Sequence, residues 1–286
     1  MPVTEINLPP LRHPFQGFVE FAPTFQPRPG LRHVLFDFDG TLSIIRHAWP
    51  AVMSTMFLEF LPALPEETED ARLALIMDDM MRLNGKQTIF QMIQLADRIR
   101  DRGAEPREPL WYKHEFLHRL DLQISENVEG LRTGRIAPDT LLVHGARQLL
   151  EHLVVRGLTL HLASGTDEPY LKREAELLGI SPYFEGRIFG ALDDYRSFSK
   201  KMVIERILSE HCITGAELLS FGDGYVEISN TKEVGGLAVA VASDEAHNGS
   251  GRIDEWKRGR LVAVAADVVI PDYRDAVPLL ETLTTP

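Results

Sequence analysis

After Pro138 this chain alternates short aliphatic runs with amphipathic stretches, a rhythm that few folds accommodate. Leu158 to Ala163, Leu218 to Phe221, Leu237 to Ala242 and Val268 to Ile270 are each rich in aliphatic residues, as strands buried on both faces must be. Stretches with helical spacing separate or follow them: one bearing Ala146, Leu149, Leu150 and Leu153, then Lys200 to Glu210, Val226 to Val234 and Tyr273 to Leu283. Repeated βα units predict an α/β fold, a Rossmann-like doubly wound parallel sheet whose ligands bind beyond the carboxyl ends of the strands. A first strand, Val34-Leu35-Phe36, lies well upstream. Between it and the alternating part, Ala48 to Arg132 reads as about four helices, with Ile89, Ile93, Ala96 and Ile99 repeating every three to four residues. The predicted division is an α/β core of residues 31–45 and 137–286 with an all-α insertion, residues 46–136, lying as a lid over the strand ends. Residues 1–30 carry Pro9, Pro10, Pro14, Pro23, Pro27 and Pro29 among scattered Phe, which predicts an extended arm across the surface in preference to helix or strand.

Charge narrows the partners. With 30 basic against 42 acidic residues the net charge is -12, which argues against non-specific binding to nucleic acid or to anionic membranes. An anionic ligand must then be attracted by local features. The single cysteine, Cys212, excludes an internal disulfide and fits a reducing compartment. Met1 to Gly30 has neither a basic n-region nor an apolar h-region, and no uncharged apolar run approaches the length of a membrane span. The expectation is a cytoplasmic protein, monomeric or a small homo-oligomer, with no nucleic-acid or membrane partner.

Asp37-Phe38-Asp39-Gly40-Thr41 closes the first strand with two carboxylates two residues apart. Alternate side chains of a strand share a face, so Asp37 and Asp39 project together where Gly40 lets the chain turn. Two like charges so close are tolerable where a cation sits between them or where one carboxyl keeps its proton. One carboxylate is then a nucleophile and the other a proton donor and acceptor. The plainer alternative is a solvated strand end followed by an Asp-Gly turn.

Later strands deliver polar residues just past their apolar runs. Ser164 follows His161-Leu162-Ala163 and precedes Gly165 and Thr166, so a hydroxyl and backbone N–H groups are available for phosphate oxygens; Thr166 or Asp167 also suits the N-cap of a following helix. Asp223, in Ser220-Phe221-Gly222-Asp223-Gly224, and Glu227 four residues on would complete an oxygen site for Mg²⁺, or form only an acidic turn. Lys200 follows Ser199, a predicted N-cap, and shares a stripe with Ile204 and Ile207, where its ammonium would offset a phosphoryl group. The adjacent Lys201 is the alternative, and a surface lysine is the ordinary reading of either.

These four pieces, in this order, resemble the motifs of the haloacid dehalogenase superfamily of Mg²⁺-dependent phosphohydrolases, over about residues 31–285. The resemblance implies that Asp37 is the nucleophile and Asp39 the general acid/base. It further implies that Gly40, Thr41, Ser164, Gly165 and Lys200 bind phosphate. Asp37, Asp39 through its backbone carbonyl, Asp223 and Glu227 would hold Mg²⁺, and the helical insert would be a mobile cap. Members that cleave carbon–halogen bonds lack the second Asp, and those that cleave phosphonates usually have Ala there, so Asp39 favours phosphate ester hydrolysis. Glu227 stands where Asp is commoner, and Ser43-Ile44-Ile45 lacks the acidic residue often found soon after the first motif.

The implied activity is hydrolysis of a small soluble phosphomonoester, a sugar phosphate or a phosphoglycolate-like compound, through an aspartyl-phosphate. A phosphosugar mutase and a non-catalytic binding protein of the same fold are the alternatives. Arg46, beside His47 and Trp49, and Lys86, in the polar break Asn84-Gly85-Lys86-Gln87, are candidates for selecting the substrate. Lys257, Arg258 and Arg260 read as a surface cluster. A distant reading is a zinc peptidase, because His114-Glu115-Phe116-Leu117-His118 matches the pattern that sets two histidines on one helical face, although Phe116, Leu117 and Leu120 read as a packing face.

Overall fold

The sheet is built as the aliphatic runs require. In the computed structural model, which describes residues 15–285, the strands are β1 (Glu20–Phe21), β2 (His33–Phe36), β3 (Thr159–Asp167), β4 (Ile188–Ala191), β5 (Leu218–Gly222), β6 (Leu237–Val241) and β7 (Val268–Ile270). They lie in the order β1-β7-β6-β5-β2-β3-β4, every adjacent pair parallel except β1 with β7. Every residue of β2, β5, β6 and β7 is buried, because helices cover both faces. On the core side of the chain these are α6 (Ala146–Val155), α7 (Glu168–Leu177), α8 (Ser181–Phe184), α9 (Lys200–Glu210), α10 (Tyr225–Glu233), α11 (Glu255–Ala263) and α12 (Ala276–Thr284). The predicted fold class is the one observed.

Five helices make up the insertion after β2: α1 (Trp49–Phe60), α2 (Glu69–Arg82), α3 (Ile89–Asp101), α4 (Pro109–Gln123) and α5 (Ser125–Arg132). Thr68 caps α2 by accepting from Ala71 N, and prolines sit in the first turn of α1 and α4, where no N–H is missed. The two connections to the insertion run side by side: Ile44 N donates to the Leu141 carbonyl (3.0 Å) and Val143 N to the Leu42 carbonyl (2.9 Å). No helix among the described residues is long and apolar enough to cross a membrane.

The amino-terminal arm corrects the sequence reading. Pro9, Pro10 and Pro14 lie outside the described residues, but Glu20–Phe21 adds an antiparallel edge strand to β7. Arg258 grips Glu20 through two bonds of 2.6 and 2.7 Å, and Phe15, Val19, Phe21 and Phe25 pack against the core. Two residues have no readable period; the free edge of β7 makes them a strand. The short β4, with Gly190 inside it, was equally silent in sequence.

Candidate active site

The turn after β2 sets the geometry. Asp37 N donates to the Phe221 carbonyl of β5, and the N–H groups of Thr41, Leu42 and Ser43 converge on the Phe38 carbonyl at 3.2, 2.8 and 2.9 Å. Gly40 sits at φ +71°, and a Cβ there would lie 2.2 Å from an Asp223 carboxylate oxygen, so both the backbone and the neighbour demand glycine.

This turn brings Asp37 and Asp39 into one cavity of about 90 Å³, with Ser164, Gly165 and Thr166 of β3, Lys200 of α9, Asp223 beyond β5, and Arg46, Trp49, Lys86 and Phe116 from the insertion and its entry. Asp37 is buried. Its Oδ2 lies 2.7 Å from Lys200 Nζ, which also donates to Glu227 Oε2 at 2.8 Å. The other Glu227 oxygen accepts from Gly224 N at 2.6 Å, so Glu227 both caps α10 and steers the lysine. Burial pushes the Asp37 carboxyl up, with Lys200 opposing it. Burial would lower the Lys200 ammonium, but Asp37 and Glu227 outweigh it and the net shift is upward. Lys200 is therefore a fixed cation. Lys201, by contrast, is exposed and pairs with Glu233.

One carboxylate oxygen from each of Asp37, Asp223 and Glu227 lies within 4.8 Å of the other two. Such a hard oxygen set, with Asp37 and Glu227 buried and Asp223 partly so, suits a cation of the Mg²⁺ kind. Asp39 sits beside it with Oδ2 accepting from the Thr166 hydroxyl at 2.6 Å and Oδ1 buried without a partner. Burial raises its carboxyl to about 7, against the nearby Arg46 guanidinium. A carboxyl poised there is able to give and take a proton near neutrality.

Several sequence expectations need correction. Thr41 does not line the cavity: its hydroxyl accepts from Asp223 N at 2.9 Å and so ties the two acidic loops together. Arg46 reaches the cavity wall with its Nε and Nη2 forked onto Glu174 at 2.9 and 2.7 Å, so that pair holds the guanidinium in place. Asp167 takes the N-cap position of α7 without a capping bond, because its carboxylate turns to Lys113 at 2.7 Å. His114 and His118 are exposed, Glu115 pairs with Arg119, and neither histidine joins a metal-competent group among the described residues.

Lys257 is the largest surprise. Read as surface, it is only 7% exposed, with Nζ 3.0 Å from Asp223 Oδ2, 2.6 Å from Glu245 Oε1 and 3.1 Å from Ser243 Oγ. The Ser243 hydroxyl in turn donates to the Gly40 carbonyl at 2.6 Å. A signal was available: Asp254 caps α11 at Lys257 N, and Leu261 lies four residues further on the buried side. The same signal, a capping residue and an aliphatic stripe, marks Lys200.

The insertion meets the strand ends closely. A Cβ on Gly165 would lie 2.7 Å from the Lys86 carbonyl oxygen, and one on Gly224 2.9 Å from Gly85 Cα. Gln87 Nε2 donates to the carbonyls of Tyr195 and Phe198 at 3.0 and 2.7 Å. The Lys86 ammonium stands 5.7 Å above the Phe90 ring, on the cavity wall.

Over residues 31–235 the chain matches the family of haloacid dehalogenase-like hydrolases. No curated protein matches it. Among solved structures it is similar to a predicted phosphoglycolate phosphatase from Haemophilus somnus, at 15% identity and a TM-score of 0.57 over 87% of this chain and 98% of that one. A hydrolase from Pseudomonas syringae is similar at 18% identity and a TM-score of 0.58, over 89% and 100% of the two chains. A candidate beta-phosphoglucomutase from Bacteroides vulgatus shares 15% identity with a TM-score of 0.58, covering 90% of each. These likenesses establish a shared fold.

Proposed function

The chain belongs to the haloacid dehalogenase-like hydrolases, and from that premise we propose that it is a Mg²⁺-dependent phosphatase for small phosphomonoesters, working through an aspartyl-phosphate. The observation that carries the reading is the convergence of Asp37, Asp39, Ser164, Lys200 and Asp223 on one small cavity at the carboxyl end of the sheet. In this reading Asp37 attacks phosphorus and forms an acyl phosphate, while Asp39 hands its proton to the departing alkoxide. Asp39 then takes a proton from the water that hydrolyses the acyl phosphate. Lys200, the Ser164 hydroxyl and neighbouring N–H groups hold the phosphoryl oxygens, with the lysine aligned by Glu227.

Asp37, Asp223 and the Asp39 carbonyl would hold the metal, with Glu227 as a further carboxylate of the same group. The close carboxylates fit that role. When bound, Mg²⁺ would spread the charge on the phosphoryl oxygens. The α1–α5 insertion would act as a cap over a core of residues 31–45 and 137–286, a role supported by the Gly165–Lys86 and Asp167–Lys113 contacts. A cavity of about 90 Å³, well below the pockets of about 300–1,000 Å³ that enclose drug-sized ligands, favours a short sugar phosphate or phosphoglycolate-like compound.

The test is release of inorganic phosphate from a panel of such esters, with product analysis to separate hydrolysis from mutase transfer. Asp37→Asn is expected to lose turnover while still folding cooperatively, as a thermal scan would show. An active Asp37→Asn protein would overturn the proposal.

A further inference from the structure

Three histidines far apart in sequence meet at the other end of the sheet. His33 opens β2, and His161 lies opposite Leu35 on β3, so the two are diagonal neighbours on one face. His211 follows the last turn of α9, the helix whose first residue, Lys200, sits in the acidic cavity. Eleven residues at about 1.5 Å of rise put the two ends of that helix roughly 16 Å apart, so this cluster is distinct from the carboxylate site.

The rings are arranged for more than packing. His33 Nδ1 and His161 Nε2 are 3.1 Å apart, and one ring nitrogen of each histidine lies within 4.8 Å of the other two. The His33 and His211 rings stand 4.4 Å apart between centroids. His33 and His161 are 3% and 2% exposed, whereas His211 faces solvent and supplies an entry path. His33 and His161 share one hydrogen bond, between Nδ1 and Nε2, while His161 Nδ1 is buried without a partner.

We propose that His33, His161 and His211 form a transition-metal site that binds a zinc-class divalent cation, with solvent on the open side. At about 2.0–2.1 Å from each nitrogen, a tetrahedral zinc ion separates its ligand atoms by roughly 3.3 Å. The 3.1 Å pair already has that spacing, and the exposed His211 side chain is free to complete it. Imidazole donors select zinc, cobalt, nickel or copper and discriminate against Mg²⁺, which takes oxygen. Burial, followed by the surrounding charges, holds His33 at about 4 and His161 at about 3, so both rings are in the neutral, ligating form at pH 7. Arg32, Arg187 and Glu217 are the other charged groups that bear on the cluster.

The experiment is calorimetric titration of the full chain with Zn²⁺ after chelator treatment, in excess Mg²⁺ to keep Zn²⁺ off the carboxylates. One tight equivalent is expected. Changing groups behind a metal ligand typically costs about 10–100-fold in affinity, so removing a ligand in His211→Ala should cost at least about tenfold. As an exposed substitution it should leave the zinc-free melting temperature unchanged. His161→Gln should weaken binding similarly, and Co²⁺ should give a visible spectrum in the parent that His211→Ala loses. Parental Zn²⁺ affinity in His211→Ala, or no binding in excess Mg²⁺, would overturn the proposal.

Discussion

Replacing Lys257 with methionine tests what holds the acidic rim of the sheet together. Its ammonium lies between Asp223 and Glu245 at 3.0 and 2.6 Å. Burial would lower its pKa, and the two carboxylates more than reverse that, so the fold retains it as a cation. Methionine fills much of the same volume without the charge, leaving two buried carboxylates to face each other. Removing one partner of a buried pair costs about 3–5 kcal/mol. Asp223 and Glu245 keep 11% and 20% of their side-chain exposure, which argues for the lower end, about 3 kcal/mol. At about 2–4 °C per kcal/mol for a chain near this size, Lys257→Met should melt roughly 6–12 °C lower in EDTA.

The second half of this prediction concerns the metal. An ammonium bonded to Asp223 competes with any divalent ion for the same oxygen, so removing it should tighten Mg²⁺ binding. Ligand stabilisation grows as the logarithm of one plus the ratio of ligand concentration to Kd and reaches about 2.7 kcal/mol at a hundredfold excess. Added Mg²⁺ should therefore recover most of the loss in Lys257→Met while moving the parent much less. Scanning calorimetry over a Mg²⁺ series, with Glu245→Gln added to the variant to relieve the same repulsion without metal, measures both effects. A Lys257→Met protein with parental melting in EDTA, or equal Mg²⁺ shifts in both proteins, would refute the reasoning.

Gly165→Ala would press a methyl group 2.7 Å from the Lys86 carbonyl oxygen. Overpacking of about 1–3 kcal/mol is most easily relieved by lifting the insertion off the strand ends, so kcat/KM should fall roughly 5- to 150-fold with little change in melting temperature; steady-state kinetics beside a thermal scan checks this. Acid should unfold the protein partly through His33 and His161. Burial lowers them from 6.5 to about 4 and about 3, so between those values and 6.5 the unfolded chain binds protons that the fold refuses. Their stabilisation is complete above pH 6.5 and declines as pH falls, by about 2 kcal/mol per histidine at pH 5. Urea titrations in EDTA at pH 7 and pH 5 should show a smaller difference for His161→Leu than for the parent, and an equal difference would count against the assignment.

What the sequence disclosed follows from how local each signal was. The strand ending in Asp37 was legible because an apolar run and a pair of acids announce themselves within eight residues. Lys200 was legible because Ser199 caps its helix and Ile204 and Ile207 fix its face. Lys257 carried the same kind of signal in Asp254 and Leu261, yet two arginines in the next three residues made the stretch look solvated. One of them, Arg258, is drawn to Glu20 by the edge strand, a partner more than two hundred residues away that no local pattern could supply. Thr41 shows the limit of motif reading, since its position in the loop was foreseen but not the Asp223 amide that occupies its hydroxyl.

The histidine cluster lies furthest from any sequence signal. His33 and His161 are separated by 128 positions and become neighbours only through the register of β2 and β3, and His211 arrives because α9 is long enough to run from one end of the sheet to the other. The same helix therefore presents a lysine to carboxylates at its start and an imidazole to imidazoles at its end. A change in its length would disturb both sites at once. Inserting one residue within α9 turns everything beyond it by about 100°, so no insertion short of a full turn is expected to preserve the lysine contact and the histidine contact together. Parallel measurement of Zn²⁺ affinity and phosphatase activity across such an insertion series tests that coupling, and an insertion shorter than a full turn that leaves both at parental values would contradict it.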